Sequence, residues 1–107
     1  MKLTLITVCY NSEKTIQETI NSVISQTYIK NVEYIIVDGN SQDNTKNIIY
    51  NNFDNIDLAL IESDNGLYDA MNKAIKMCSG DIIGILNSDD VFFSNNTLEE
   101  VINCFIE

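Results

Sequence analysis

The sequence predicts an α/β fold in a single domain spanning residues 1–107, a Rossmann-like, mostly parallel sheet of about four strands with helices on both faces. Three observations carry this. Apolar runs of strand length alternate in order with stretches whose apolar residues recur at helical spacing. The strand runs are apolar nearly throughout, as a sheet covered on both faces requires. A chain of 107 residues at 45% apolar composition is also enough for one core and too short for a second domain.

The first strand is expected over residues 3–9, and Ile16, Ile20, Val23 and Ile24 then share one face of a helix. A second strand is expected over residues 32–37, with Asp43-Asn44 capping a helix that carries Ile48, Ile49 and Phe53. Residues 57–62 read as the third strand. Leu67, Ala70, Met71, Ala74, Ile75 and Cys78 follow at steps of three and four, an amphipathic helix closed by Ser79-Gly80. Residues 82–86 form the fourth strand. Thr97-Leu-Glu-Glu100 resembles a capping box opening a last helix with Leu98, Val101, Ile102 and Phe105 inward.

Right-handed crossovers bring all the strand ends of such a sheet to one rim, where ligands of open α/β sheets bind. That rim carries residues 7–11, 38–40, 64–66 and 87–90, and two acidic signatures stand out there: Asp38-Gly39-Asn-Ser-Gln-Asp43 and Asn87-Ser88-Asp89-Asp90, each behind an apolar run. They point to a metal and nucleotide site. The formal charge of −10, from 16 acids and 6 lysines with no arginine or histidine, argues against nucleic acid or an anionic membrane surface as partner. An anionic substrate then requires a divalent cation held by carboxylate oxygens. Cys9, Cys78 and Cys104 are odd in number and far apart, which indicates neither a disulfide framework nor a zinc set and fits a reducing cytoplasm. No apolar run is long enough to span a membrane, and no cleavable leader is apparent.

Four segments occur in order: Leu3-Thr-Leu-Ile-Thr7-Val-Cys-Tyr10-Asn11, Glu33-Tyr-Ile-Ile-Val-Asp38-Gly39-Asn-Ser41-Gln-Asp43, Asp64-Asn-Gly66-Leu-Tyr68-Asp69-Ala-Met-Asn72-Lys73, and Gly80-Asp-Ile-Ile-Gly-Ile-Leu-Asn87-Ser88-Asp89-Asp90. Together they resemble the donor-binding half of a glycosyltransferase family 2 enzyme with the GT-A fold. The resemblance implies an inverting transfer from a nucleotide sugar, a UDP-sugar by preference, to a glycan or lipid-linked acceptor in polysaccharide biosynthesis. It also implies a cytoplasmic location, whether free or at the inner face of a bacterial membrane.

By the same resemblance, Thr7, Tyr10 and Asn11 cradle the base and ribose, Asp38 reads the base edge, and Gly39 lets the backbone approach the ligand. Asn87, Ser88, Asp89 and Asp90 stand where the family has its Asp-x-Asp motif, which holds Mg²⁺ or Mn²⁺ against the donor diphosphate. Asn87 replaces the first aspartate, so direct metal contact is assigned to Asp89 or Asp90 and Asn87 is left to the ribose or a water ligand. Lys73 either approaches a phosphate or faces solvent on its helix. Met71 stands where many members have a basic residue, and Val8-Cys9 replaces a proline-containing pattern.

The family's general base lies beyond the Asp-x-Asp motif, so this chain alone is not expected to be a competent transferase. A surface or strand edge left bare by the absent acceptor half is expected to favour a homo-oligomer. Two other classes share some features. A non-catalytic nucleotide-binding module would keep every donor-side residue, whereas a Mg²⁺-binding receiver domain needs acids after the first strand, where this chain has Thr7 to Asn11.

Overall fold

The computed structural model describes residues 1–62 and 66–106, with the backbone only at Gly66 and Leu67. The expectations that rest on Asp64, Asn65 and the Leu67 side chain lie outside the described residues.

Four parallel strands, β1 (Leu3–Cys9), β2 (Val32–Asp38), β3 (Leu58–Ile61) and β4 (Ile82–Asn87), form one sheet in the order β3-β2-β1-β4. The helices are α1 (Ile16–Ile24), α2 (Thr45–Asn51), α3 (Gly66–Met77) and α4 (Thr97–Ile106), with two short 3-10 turns at Ile29–Asn31 and Phe53–Asn55. The chain steps from β1 to β2 to β3 in one direction and then crosses back to β4 on the far side of β1. Reversing direction while keeping right-handed crossovers puts α3 on the opposite face from α1 and α2.

The core divides accordingly. On one face Leu5, Cys9, Tyr34 and Ile36 pack against Ile16, Ile20 and Val23 of α1 and Ile49 of α2. Leu3 on that same face receives Leu98 and Ile102 of α4. The other face sets Ile6, Ile35 and Val37 against Ala70 and Ala74 of α3. Alanines at those two helix positions let α3 lie close over β1 and β2.

Phe53, expected on the second helix, lies beyond α2 in a 3-10 turn and is 51% exposed, and three further details concern α4. Thr97 does not form a capping box with Glu100; its hydroxyl accepts from the Ser94 N–H at 3.2 Å, while the Asn96 carbonyl accepts the Glu100 N–H at 3.0 Å. Gln26, fully enclosed just past the end of α1, accepts the Leu98 N–H at 3.1 Å and donates to the Ser94 carbonyl at 2.7 Å, so a side chain from the turn after α1 anchors the start of α4. Val101 and Phe105, expected inward, are 42% and 61% exposed, because α4 touches the sheet only along Leu98 and Ile102.

β4 forms one edge of the sheet, and its alternate residues Ile83 and Ile85 are 41% and 54% exposed beyond the cover of α3. An edge strand with bare apolar side chains is the kind of surface expected of this chain.

Candidate functional site

Strand order reverses direction at β1, so a crevice opens between the carboxyl ends of β1 and β4, the usual ligand position in an open parallel sheet. A cleft of about 630 Å³ lies there, lined by residues 8–15 from the end of β1 and its loop, by Asp43, and by Asn87, Ser88 and Asp89 after β4. Five residues singled out from sequence, Tyr10, Asn11, Asn87, Ser88 and Asp89, are therefore brought together. Tyr10 is 54% exposed and Asp89 is exposed, so both are available to a ligand. Asp90 is exposed beside Asp89, one residue beyond the lining.

The loops that make the walls are fastened to one another. The Ser12 and Ser88 hydroxyls lie 2.7 Å apart across the cleft. The Thr19 hydroxyl of α1 reaches the carbonyls of Ser88 and Asp90 at 2.8 Å and 2.7 Å, which sets the turn that presents Asp89. Asn11, at a left-handed φ of 49°, donates its N–H to Ser41 Oγ at 2.8 Å and accepts the Gln42 N–H at 2.8 Å. Asparagine tolerates that backbone better than most residues.

Thr7 and Asp38 sit differently from Tyr10 and Asn11. Both are fully buried. Strand parity puts Thr7 on the face of Leu3 and Leu5, where its hydroxyl pairs with the Tyr34 hydroxyl at 2.8 Å. Asp38 accepts the Ser41 N–H at 2.8 Å, the Ser41 hydroxyl at 2.5 Å and the Cys9 thiol at 3.3 Å. Its carboxylate thus braces the loop that carries Gly39, whose own N–H donates to the Cys9 carbonyl at 3.0 Å. Burial, and then the negative charge of Asp38 beside it, push the Cys9 thiol far above its ordinary value.

Lys73 is also outside the cleft lining, paired on α3 with Glu62 in the one ion pair among the described residues. The cleft also contains Lys14, with Glu13, Thr15 and Ser12, which the motifs do not mark, and Asp43, the last residue of the first acidic signature. The signal available for them is topological: with α1 beginning its apolar face at Ile16, the whole stretch after Cys9 must be the loop at the switch point. Asp43 is largely spent on the protein, accepting the Thr45 N–H and hydroxyl at 2.9 and 2.6 Å and the Glu13 N–H at 3.2 Å. Desolvation raises its carboxyl, but these hydrogen bonds outweigh it and hold the group below the ordinary carboxylate range.

A sequence profile described as glycosyl transferase family 2 matches residues 4–107. The chain belongs to this family. Among curated relatives, the Escherichia coli UDP-Glc:alpha-D-GlcNAc-diphosphoundecaprenol beta-1,3-glucosyltransferase WfgD is 38% identical over 94 residues, covering 87% of this chain and 37% of the relative. Among solved structures, S. aureus TarS 1-349 in complex with UDP-GlcNAc superposes with a TM-score of 0.84 at 29% identity, covering 96% of this chain and 30% of that one. The mannosyltransferase PcManGT from Pyrobaculum calidifontis, in complex with GDP-Man and Mn²⁺, shares the fold with a TM-score of 0.87 at 23% identity over 99% of this chain and 32% of that one. The family 2 chain thus spans about a third of the length of these relatives. No helix among the described residues is long and apolar enough to cross a membrane.

Proposed function

We propose that this chain forms the donor side of an inverting glycosyltransferase and holds a nucleotide sugar, a UDP-sugar by preference, in the cleft between β1 and β4. The observation that carries the reading is the meeting of Tyr10 and Asn11 with Asn87, Ser88 and Asp89 at the switch point. Tyr10 offers an exposed ring for a base, Asn11 and Asn87 offer amides for the ribose, and Asp89 with Asp90 faces the diphosphate. Asp38 and Gly39 shape the floor of the nucleoside end, and Thr7 supports it from within the core. Preference for uridine is supported by the UDP-linked donors in the names of the E. coli and S. aureus relatives.

A divalent cation fits the side chains present. Asp89 and Asp90 are hard oxygen donors, and among the described residues neither carboxylate accepts a hydrogen bond that would have to be broken. The described residues contain no group of three acidic, cysteine or histidine ligands that could form a complete cage. That suits Mg²⁺ or Mn²⁺, which commonly take one or two carboxylates and complete their shell with substrate phosphates and water. When bound, the ion supplies positive charge against that developing on the departing nucleoside diphosphate. The protein groups fix where that charge sits: Thr19 holds the turn carrying both acids, and the Ser12–Ser88 contact holds that turn against the nucleoside wall.

On this reading the acceptor and the base that deprotonates it belong to the further length that the relatives have, and the chain by itself binds donor without transferring sugar. A lipid-linked or glycan acceptor at the cytoplasmic face of a membrane is supported by the diphosphoundecaprenol acceptor in the name of the E. coli relative. The bare edge at Ile83 and Ile85 favours self-association of the isolated chain; a monomer by light scattering at high micromolar concentration would count against that part.

The deciding experiment is calorimetric titration of UDP, GDP, dTDP and ADP with and without Mn²⁺, repeated with Asp89→Asn and Asp90→Asn. Metal-dependent binding of one nucleotide, lost in one variant, is the expected result. Absence of binding to all four would overturn the donor-site reading.

A further inference from the structure

We propose that Lys14, and not Lys73, is the protein cation that pairs with the diphosphate of the donor. This rests on the donor-site reading above and deepens it by naming the positive group that the site needs.

The six lysines are distributed unequally. Lys2 donates to Ser79 Oγ at 2.8 Å, before β1 and so at the end of the sheet away from the cleft. Lys30 lies in the turn that precedes β2, and Lys76 in the last turn of α3. Lys46 donates to Asn40 Oδ1, and Lys73 is paired with Glu62. Lys14 alone lines the cleft, and among the described residues its ammonium has no hydrogen-bond or ion-pair partner. It therefore has three free donors on a long flexible stem.

The electrostatics of the cleft demand such a group. Glu13, Asp43 and Asp89 line the same space, so a diphosphate entering it meets three carboxylates and one ammonium. A cation on Asp89 and Asp90 would neutralise the ligand from the β4 wall, and Lys14 stands on the other wall, in the loop between β1 and α1. Two positive centres on opposite walls hold a diphosphate in one orientation, which a single ion on one wall does not.

The test is calorimetric titration of UDP with Mn²⁺ into the full chain and into Lys14→Ala, Lys14→Arg and Lys73→Ala, at low and moderate salt. We expect Lys14→Ala to weaken UDP binding about tenfold, the scale of one charge-assisted hydrogen bond, and to reduce its salt dependence. Lys14→Arg should restore most of the loss, and the melting temperature of Lys14→Ala should be unchanged. If the unaltered chain binds UDP and Lys14→Ala binds it equally well, the inference is overturned while the donor reading stands. It is overturned in the same way if Lys73→Ala carries the loss, if Lys14→Arg fails to restore it, or if the loss comes with a lower melting temperature. If the unaltered chain binds neither UDP nor GDP with Mn²⁺, the donor reading fails and the inference falls with it.

Discussion

The hydroxyls of Ser12 and Ser88 meet at 2.7 Å although 76 positions separate them in sequence. This single contact joins the loop after β1 to the loop after β4, the two walls of the cleft. Replacing either serine by alanine leaves the other hydroxyl partly buried without that partner, and we expect a loss of about 1 kcal/mol for each in urea denaturation. The double variant should lose clearly less than the sum, because both single changes break the same bond. Additive losses would show that the two loops are held by other means.

Gly80 is required by its surroundings. A Cβ at this position would stand 2.4 Å from Thr4 Oγ1 and 2.5 Å from the Thr4 backbone nitrogen, and the backbone of the central strand cannot give way. Gly80→Ala should destabilise by about 2 kcal/mol or more, in the range of an overpacked core. The Gly80 N–H to Thr4 Oγ1 bond at 2.9 Å would be lost with it. Thermal or urea melts of the variant against the parent give the answer.

A buried hydroxyl pair makes a double-variant test possible in the core. Tyr34→Phe strands the Thr7 hydroxyl, which is fully enclosed, and should cost about 1–2 kcal/mol. Adding Thr7→Val removes the orphaned group, so the double variant should recover part of the loss. A double variant that is worse by the full sum would argue that each hydroxyl has another partner.

Acid stability depends in part on Glu33. Desolvation pushes its carboxyl up, but the hydrogen bonds from the Ser79 N–H at 2.9 Å and the Thr4 hydroxyl at 2.8 Å, with Lys2 nearby, outweigh that and hold it below the ordinary value. A carboxyl depressed in the folded state adds stability above its unfolded pKa and loses it as pH falls through the folded one. The stability of the chain should therefore decline below the usual glutamate range, and Glu33→Gln should flatten that decline. Chemical denaturation at a series of pH values between neutrality and about pH 3 measures it.

The cysteines should separate by reactivity. Cys9 is buried with its thiol held protonated by burial and by the Asp38 carboxylate, whereas Cys104 lies exposed on α4. A thiol reagent should label Cys104 in the native chain and reach Cys9 only after unfolding, because the thiolate is the reactive form. Peptide mass spectrometry of labelled native protein distinguishes the two.

Most elements are legible in the sequence because apolar spacing is a local signal. Among the described residues the four strands and four helices fall where apolar spacing predicts them, although α2 stops short of Phe53, and β1 and α1 agree residue for residue at their apolar positions. What escapes the sequence depends on contacts from elsewhere in the chain. Nothing near Thr97 reveals that Gln26 anchors α4, and the exposure of Val101 and Phe105 follows from how narrowly α4 meets the sheet. In the site, Tyr10, Asn11 and residues 87–89 can be placed together because topology alone brings strand ends to one rim. That Thr7 is bonded to Tyr34 and Asp38 to Cys9 depends on register between strands, and register is not written in either strand separately. Lys14 carries no motif signal of its own, although it lies in the loop that the motifs border.

The pairing of the strands also implies a gradient in how readily each one opens. β1 is flanked along nearly its whole length, by β2 over seven residues and by β4 over six, whereas β3 meets a single neighbour over four. Backbone amide exchange with solvent should accordingly be slowest around Ile6 and fastest in β3. No residue of β3 lines the cleft. Transient opening of that edge can therefore come and go without disturbing the loops after β1 and β4, so the cleft is insulated from the side of the sheet that opens first.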